Sequence, residues 1–270
     1  MVVVSISGEM GSGRDELASG VCTRSRLKRL GRAELMQLVG KRMDLDREGY
    51  QILAEQGPAM LEVGSRQRQV LCALLEELII SRALRGNVVI VGRGANFLLG
   101  DVAGVLRLRT VAPLEVRARR VALREDIGID RATELVSMVD QQRRAYVAQL
   151  FGADWAAPTA YDLVINTARL TMDQAVTTIV DLLAHPEYRL GPEGIDRLKA
   201  KLAAAKLKRM ILTEVAVQAL EVDVQGSRAV ISGYVASASD AAKAAHIAEA
   251  QGFSVEEKLE ISPAMIKVLG

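Results

Sequence analysis

The first part of the chain alternates short apolar runs with segments of helical periodicity. Apolar runs at 2–7, 87–91 and 163–166, and an alternating run at 105–111, have the pattern of strands. Apolar spacing, with Pro113 opening one helix and Asp130 capping another, predicts helices over 15–30, 32–43, 46–56, 67–84, 113 onward, 130–150 and 171–184. Strands separated by helices imply parallel crossover units, so we predict a three-layer α/β/α domain with a parallel sheet.

The C-terminal part has a different pattern. Prolines and a glycine cluster in the segment that begins at His185 and ends at Pro192, which is the composition of a linker. Beyond it the pattern predicts a helix over 195–219, strands over 220–224 and 229–235 around a Gln225-Gly226 turn, a helix over 239–251 and a strand over 255–261. We therefore predict an α/β domain over 1–185, a linker over 186–194 and a small α+β domain over 195–270.

Composition narrows the classes of function. Among 270 residues the formal net charge is only +2, so no broad positive surface is expected for nucleic acid or anionic lipid. Only Cys22 and Cys72 are present, which gives no disulfide framework and no paired C-x-x-C metal motif. No stretch approaches the roughly 20 apolar residues that span a bilayer. We expect a cytoplasmic protein with no nucleic-acid partner and no integral membrane segment.

The first glycine-rich segment follows the first predicted strand. It reads Gly8-Glu-Met-Gly-Ser-Gly13-Arg14-Asp15, against the phosphate-loop signature G-x-x-x-x-G-K-[ST]. Such glycines let backbone N–H groups turn toward phosphate oxygens, and the positive end of the next helix adds to the attraction. The predicted phosphate-binding residues are Gly8, Gly11, Ser12, Gly13, Arg14 and Asp15. A turn without a ligand is the alternative, and the position after a strand favours binding.

The last two loop positions depart from the signature. Arg14 keeps the positive charge of the usual lysine in a bulkier fork, and Asp15 replaces the usual hydroxyl residue. We expect Arg14 to contact the outer phosphates. We expect Asp15 to hold magnesium, directly or through water.

Further arginines are candidates for phosphate contact. Arg93 follows a buried strand at the sheet edge where open α/β sheets bind ligands, and its guanidinium suits an acceptor phosphate. Arg120 lies with Arg117 and Arg124 on one predicted helix face, and Asp140, Arg143 and Arg144 lie on the next helix. Phosphoryl transfer requires several cations around the migrating group. A solvated arginine face is the alternative.

Several of these motifs together carry a resemblance. Together they resemble the cytidylate kinase-like family over about 1–185. The motifs are Gly11-Ser-Gly13, the block Val-Ile-Val-Gly-Arg-Gly-Ala-Asn-Phe-Leu from Val89, Asp140-x-x-Arg-Arg-x-Tyr146, and Gly152-Ala-Asp-Trp155 before Tyr161-Asp-Leu-Val-Ile-Asn166. The resemblance implies P-loop kinase chemistry, with ATP phosphates on Gly8–Asp15. It implies acceptor binding by Arg93 and a helical insert, and lid roles for Asp140, Arg143 and Arg144. We predict that Arg120 also contacts the acceptor. The region 30–64 matches no recognisable acceptor motif.

The resemblance implies an ATP- and Mg²⁺-dependent nucleoside monophosphate kinase, with CMP or dCMP as the first acceptor to test. Residues 210–262 resemble a BON domain, which implies a protein or lipid partner, and a structural or oligomerising module is the alternative. Arg14 and Asp15 favour a rival hypothesis, a nucleotide sensor that signals through this domain. A membrane-surface adaptor is a third hypothesis, which the near-zero net charge disfavours. The acceptor base and the oligomeric state, including a homodimer, stay open.

Overall fold

The computed structural model describes residues 1–43 and 66–262. Their contacts divide the chain into two compact units, Met1–Arg32 with Arg85–Gly194, and Ala33–Leu84 with Ile195–Gly270. We call the first the α/β unit and the second the split unit, because its two parts are separated in sequence. The predicted helix over 46–56 lies outside the described residues.

The α/β unit contains a parallel five-stranded sheet. Its strands are β1 (Val3–Gly8), β2 (Lys28–Leu30), β3 (Val88–Val91), β4 (Val105–Val111) and β5 (Leu163–Asn166), in the order β2-β3-β1-β4-β5. Its helices are α1 (Arg14–Ser25), α4 (Ala95–Leu98), α5 (Leu114–Glu125), α6 (Ile129–Phe151) and α7 (Met172–Leu182). The described strands pair in parallel, as the strand-helix alternation predicted.

The central strand β1 is buried at every residue, because a parallel sheet is covered on both faces. On one face, Val4 and Ile6 of β1 share a core with α1 and α7. Adjacent β1 and β3 end at Gly8 and Val91, and each is followed by a glycine-rich loop. The sheet therefore presents both loops at one edge, where open α/β folds bind ligands.

The split unit combines helices from the middle of the chain with its C-terminal part. It contains α2 (Arg32–Met43), α3 (Arg66–Arg85), α8 (Pro192–Glu214), β6 (Val217–Gln225), β7 (Arg228–Val235), α9 (Ala238–Ala250) and β8 (Ser254–Ile261). The three strands form a second sheet in the order β6-β7-β8, with the first pair antiparallel and the second parallel.

Three predicted elements differ from the observed ones. The helix predicted over 15–30 ends at Ser25, where Arg26 adopts a left-handed conformation, and Lys28–Leu30 pairs with β3 as an edge strand. Asp130 lies inside the first turn of α6, whose N-cap is Gly128. The helix predicted over 195–219 ends at Glu214, and β6 begins at Val217. In the first and third cases the helical period continued past a boundary that sheet pairing or backbone conformation set.

The segment predicted as a linker contains a turn of 3-10 helix at Pro186–Tyr188 and the start of α8 at Pro192. Leu190 is buried, and its N–H donates to the Met1 carbonyl at 2.9 Å. Contact between this segment and the α/β unit therefore extends past the predicted boundary at 185. No helix in the described part of the chain combines the length and apolarity needed to cross a bilayer.

Candidate functional site

The loop between β1 and α1 needs glycine at two positions for different reasons. A methyl group added to Gly8 would lie 2.1 Å from Thr110 Oγ1, so only glycine fits there. Gly11 has a φ of +79°, and an added methyl group would lie 2.7 Å from the Arg117 carbonyl. The loop therefore packs tightly against β4 and α5. We call Gly8–Arg14 the phosphate loop.

Two threonines hold the underside of the phosphate loop. Ser12 is fully buried, its Oγ donates to the Glu9 carbonyl at 2.7 Å, and it lies 2.6 Å from Thr110 Oγ1. Thr167 Oγ1 donates to the Ser12 carbonyl at 2.9 Å. Thr110 is the last but one residue of β4, and Thr167 directly follows β5. Ser12 therefore serves as a structural residue of the loop in this geometry.

Charged side chains of α5 and α6 bind the backbone of the phosphate loop at Met10. The Met10 N–H donates to Asp140 Oδ1 at 2.8 Å, and Arg117 Nη1 donates to the Met10 carbonyl at 3.2 Å. Asp140 and Arg117 also pair at 2.5 Å. Both backbone groups of Met10 are thus satisfied by a part-buried ion pair. The predicted lid residue Asp140 contacts the loop backbone.

Arg143 and Arg144 have different environments although they are neighbours. Arg143 Nη1 donates to the Gly8 carbonyl at 2.7 Å, whereas Arg144 is exposed. Burial, followed by repulsion from Arg14, lowers the pKa of Arg143 to about 10. Arg143 is still protonated at neutral pH, and a bound anion would relieve its repulsion from Arg14. The structure brings Arg143, and not Arg144, to the phosphate loop.

Arg14 and Asp15 form a charge cluster with a residue that the sequence analysis missed. Arg14 Nη2 donates to Asp15 Oδ2 at 2.7 Å, and Arg29 of β2 donates to Asp15 Oδ1. Burial raises the pKa of Asp15, but the charges of Arg14, Arg29 and Arg143 outweigh it and hold the pKa below its ordinary value. Arg29 was missed because its strand was assigned to a helix.

Arg14 also reaches the second glycine-rich loop. A methyl group added to Gly92 would lie 3.3 Å from Arg14 Nη1. Gly92, Arg93 and Gly94 all have positive φ values, and α4 starts at the next residue. We call Gly92–Gly94 the acceptor loop, after the role predicted for Arg93. The Arg14 guanidinium therefore lies at the junction of the two loops.

Arg120 lies beside the phosphate loop. Its guanidinium donates to Thr167 Oγ1 at 2.9 Å, to the Thr167 carbonyl at 2.8 Å and to the Gly11 carbonyl at 3.4 Å. Arg120 therefore lies beside the phosphate loop, and its predicted role in acceptor binding stays a prediction.

A buried arginine supports the phosphate loop from behind. Arg109 of β4 is 3% exposed, and its guanidinium carbon lies 4.1 Å from the Trp155 ring centroid. Trp155 Nε1 donates to Ser7 Oγ at 2.9 Å, and Tyr161 donates to the Trp155 carbonyl at 2.7 Å. Arg109 also pairs with Glu9 at 3.5 Å. The side chains of Trp155 and Tyr161 therefore enclose the Arg109 guanidinium, which pairs with Glu9 of the phosphate loop.

The carboxylates around the loop are engaged by arginines. Each of them faces two guanidinium groups, namely Glu9 with Arg109 and Arg117, Asp15 with Arg14 and Arg29, and Asp140 with Arg117 and Arg143. Within the described ranges, no three His, Cys, Asp or Glu side chains converge as metal ligands. In this geometry Asp15 positions two arginines, and its role as a magnesium ligand stays a prediction.

The comparisons with known proteins match the part of the chain that contains the phosphate loop and the acceptor loop. The profile of the cytidylate kinase-like family matches residues 3–169. A cytidylate kinase of Methanopyrus kandleri is 29% identical over 187 residues, which cover 66% of this chain and 91% of the relative. One of Pyrobaculum arsenaticum is 31% identical over 182 residues, covering 67% and 92%.

A solved structure shares the fold. The crystal structure of an uncharacterized protein from Eubacterium ventriosum has a TM-score of 0.54 and 19% sequence identity. The match covers 68% of this chain and 99% of that protein. At this identity the likeness concerns the fold alone.

Proposed function

The chain belongs to the cytidylate kinase-like family, and from that premise we propose that it transfers the γ-phosphate of ATP to CMP, dCMP or a related nucleoside monophosphate. The single observation that carries the proposal is the position of Arg14. Its guanidinium joins the phosphate loop to the acceptor loop, which is where a migrating phosphoryl group would pass.

On this proposal the phosphate loop binds the donor. Its backbone N–H groups and the positive end of α1 attract the ATP phosphates. Arg143 adds a second cation beside Arg14, and their mutual repulsion favours an anion between them. Asp140 acts through the loop backbone and Arg117, so it is a positioning residue.

The acceptor loop binds the acceptor on this proposal. Arg93 holds the acceptor phosphate, and Arg14 faces both substrates. Phosphoryl transfer requires mainly positioning and charge stabilisation on the migrating group's oxygens, which fixed guanidinium groups supply. Magnesium that accompanies the nucleotide would be held by phosphates and water, since Asp15 is engaged by Arg14 and Arg29.

One observation favours a second candidate, a nucleotide sensor. The loop lacks the usual lysine and hydroxyl, and both oxygens of Asp15 accept from arginines. Such a loop can bind phosphate without supporting fast transfer. The split unit would then report the bound nucleotide to a partner.

Measurement of ADP release separates the two candidates. Wild type and Arg14→Lys are incubated with ATP, magnesium and each nucleoside monophosphate, beside an ATP-binding titration. A kinase gives turnover with at least one cytidine or related acceptor, and Arg14→Lys preserves or raises it because lysine gives a compact ammonium charge. Tight ATP binding without turnover in either protein would reject the kinase and support the sensor.

A further inference from the structure

One carboxylate of α1 is shared by arginines from two different elements. Asp15 lies in the first turn of α1, directly after the phosphate loop. Its Oδ2 accepts from Arg14 Nη2 at 2.7 Å, and its Oδ1 accepts from Arg29 Nη2 of β2. All three residues belong to the α/β unit. Arg29, which lies outside the phosphate-loop motif, is thus held beside the residue that replaces the signature lysine.

The strand order explains how Arg29 reaches this place. Strand β2 pairs with β3, and β3 pairs with β1, so β2 lies on the acceptor-loop side of β1. Arg14 extends to the same side, since a methyl group added to Gly92 would lie 3.3 Å from its Nη1. In the phosphate-loop signature the lysine at this position reaches the outer phosphates. Arg14 and Arg29 therefore meet at the outer end of the phosphate site.

The sharing of Asp15 leaves both guanidinium groups incompletely bonded. An arginine and a carboxylate commonly form two parallel hydrogen bonds, but Asp15 gives one oxygen to each arginine. The Nε atoms of Arg14 and Arg29 are buried, and neither has a hydrogen-bond partner among the described residues. A buried donor without a partner is unfavourable. An anion with more oxygens than a carboxylate would satisfy donors of both side chains.

Charge and exposure favour the same ligand. The side chains of Asp15, Arg29 and Arg14 are 55%, 35% and 21% exposed, so an ion can reach them from solvent. Arg143 pairs with Asp140 at 3.7 Å, and its charge also acts on Arg14 and Asp15. Two arginines therefore face a single carboxylate. Exposed ion pairs are weak, so a phosphate group can compete with Asp15 for both guanidinium groups.

We propose that Arg29 is a substrate-binding residue, which with Arg14 binds the outermost phosphate of the donor nucleotide, and that Asp15 positions the two guanidinium groups for it. The inference rests on the proposed function in taking ATP as the ligand of the phosphate loop. It applies to the kinase and to the sensor alike. Arg29 supplies, from outside the motif, a second cation where the signature has its lysine.

A purely structural role for Arg29 would be to fasten β2 to α1. Strand β2 is three residues long and lies at the edge of the sheet. In that case, loss of the arginine would weaken the binding of ATP and ADP to a similar degree, because it would disturb the start of α1. A contact with the outermost phosphate instead distinguishes ATP from ADP, which lacks that phosphate.

The test compares the ATP and ADP affinities of full-length Arg29→Gln by calorimetry in the presence of magnesium and without an acceptor. Lys28→Gln is the matched control, since Lys28 is the exposed neighbour on the same strand. We expect Arg29→Gln to weaken ATP binding about 10- to 30-fold, because a charged hydrogen bond is lost, and ADP binding by less than about twofold. The control should match wild type for both nucleotides.

A conservative variant separates charge from hydrogen-bond geometry. Arg29→Lys keeps the positive charge but not the planar fork, so it should weaken ATP binding only about three- to fivefold and leave ADP binding unchanged. It is also the variant to use if Arg29→Gln does not fold.

Failure of the inference differs from failure of the proposed function. Equal changes in ATP and ADP affinity, no change in either, or a rise in the acceptor KM with ATP affinity unchanged would each overturn the role of Arg29. A wild-type chain that binds ATP but phosphorylates no acceptor rejects the kinase, and the ATP-to-ADP comparison then still decides the role of Arg29, since binding requires no turnover. A wild-type chain that binds neither nucleotide overturns both.

Discussion

The loops that follow β1 and β3 both contain glycines in left-handed conformations and an arginine at the sheet edge, but different interactions hold them. The phosphate loop is held by side chains from β4, α5 and α6, which lie about a hundred residues further along the chain, such as Thr110, Arg117 and Asp140. The acceptor loop has backbone hydrogen bonds, one within the loop region and one to β1. Ala95 N–H donates to the Gly92 carbonyl at 3.1 Å, and Gly92 N–H donates to the Ile6 carbonyl at 2.9 Å.

This difference determines which parts of a binding loop can be predicted from its sequence motif. A loop whose glycines adopt left-handed conformations directly after a buried strand is recognisable from its own residues, as Gly92–Gly94 was. A loop stabilised from distant helices depends on residues whose role appears only in the folded chain. Substitutions that change ATP binding without changing acceptor binding, or the reverse, test whether the two loops are held independently.

The largest effect is expected at Arg143. Arg143→Ala should lower kcat about 100-fold, because it removes a fixed positive charge beside Arg14 and the phosphate loop. Arg144→Ala is the matched control, since Arg144 is exposed at the next position, and it should stay within about twofold of wild type. Steady-state kinetics at saturating substrates measures both. Equal losses in the two variants would contradict the separation of these neighbours.

The next effect concerns the acceptor loop. Arg93→Ala should raise the acceptor KM about 10- to 100-fold, since a charged hydrogen bond contributes about 1.5–3 kcal/mol. ATP affinity, measured by calorimetry, should be unchanged because the phosphate loop has separate supports. Arg119→Ala removes an exposed arginine of α5 and serves as the control. A matched fall in ATP affinity would show that the two loops act as one.

A smaller effect is expected from the support behind the phosphate loop. Trp155→Phe keeps an aromatic face for Arg109 but removes the Nε1 donor to Ser7. The free energy of unfolding should fall by about 1–2 kcal/mol, because a buried hydroxyl loses a donor. Denaturant titration gives this value. Unchanged stability with lowered ATP affinity would instead point to a direct role of Trp155 in binding.

The smallest effect is expected at Asp15. Its lowered pKa keeps the carboxylate charged at neutral pH, and its ion pairs are lost only as pH falls through that lowered value. Asp15→Asn removes a negative charge near the phosphates and releases Arg14 and Arg29, so ATP should bind about two- to threefold more tightly. Calorimetry with magnesium and with a chelator checks this. Loss of magnesium-dependent affinity in the variant would restore Asp15 as a metal ligand.

Much of the secondary structure was predictable from periodicity. The strand over 105–111 and the helix over 32–43 have the predicted bounds, because buried strands and amphipathic helices have distinct apolar periods. The edge strand Lys28–Leu30 was missed, since its three residues are recognisable as a strand only through pairing with β3. Arg29 was missed for the same reason.

The candidate site was predictable in part. Gly8, Gly11, Gly13 and Arg14 stand where the motif predicted, at the turn from β1 to α1. The partners that hold them, such as Thr110 and Thr167, carry no sequence signal beyond their positions at strand ends. The sequence also could not show that Arg143 contacts the phosphate loop and Arg144 is exposed. Adjacent residues of a helix point in different directions, and which of them meets another element depends on how the helix packs.

The sequence by itself determined the alternation of strands and helices, the glycine loops at the sheet edge and the family to which residues 3–169 belong. These follow from local periods and from residue types that specific turns require. Tertiary structure decided which charges pair around the loop and that the described residues of 33–43 and 66–84 fold together with 195–262. Ion pairs and shared cores join residues that are distant in the chain, and such contacts depend on packing rather than on any local pattern.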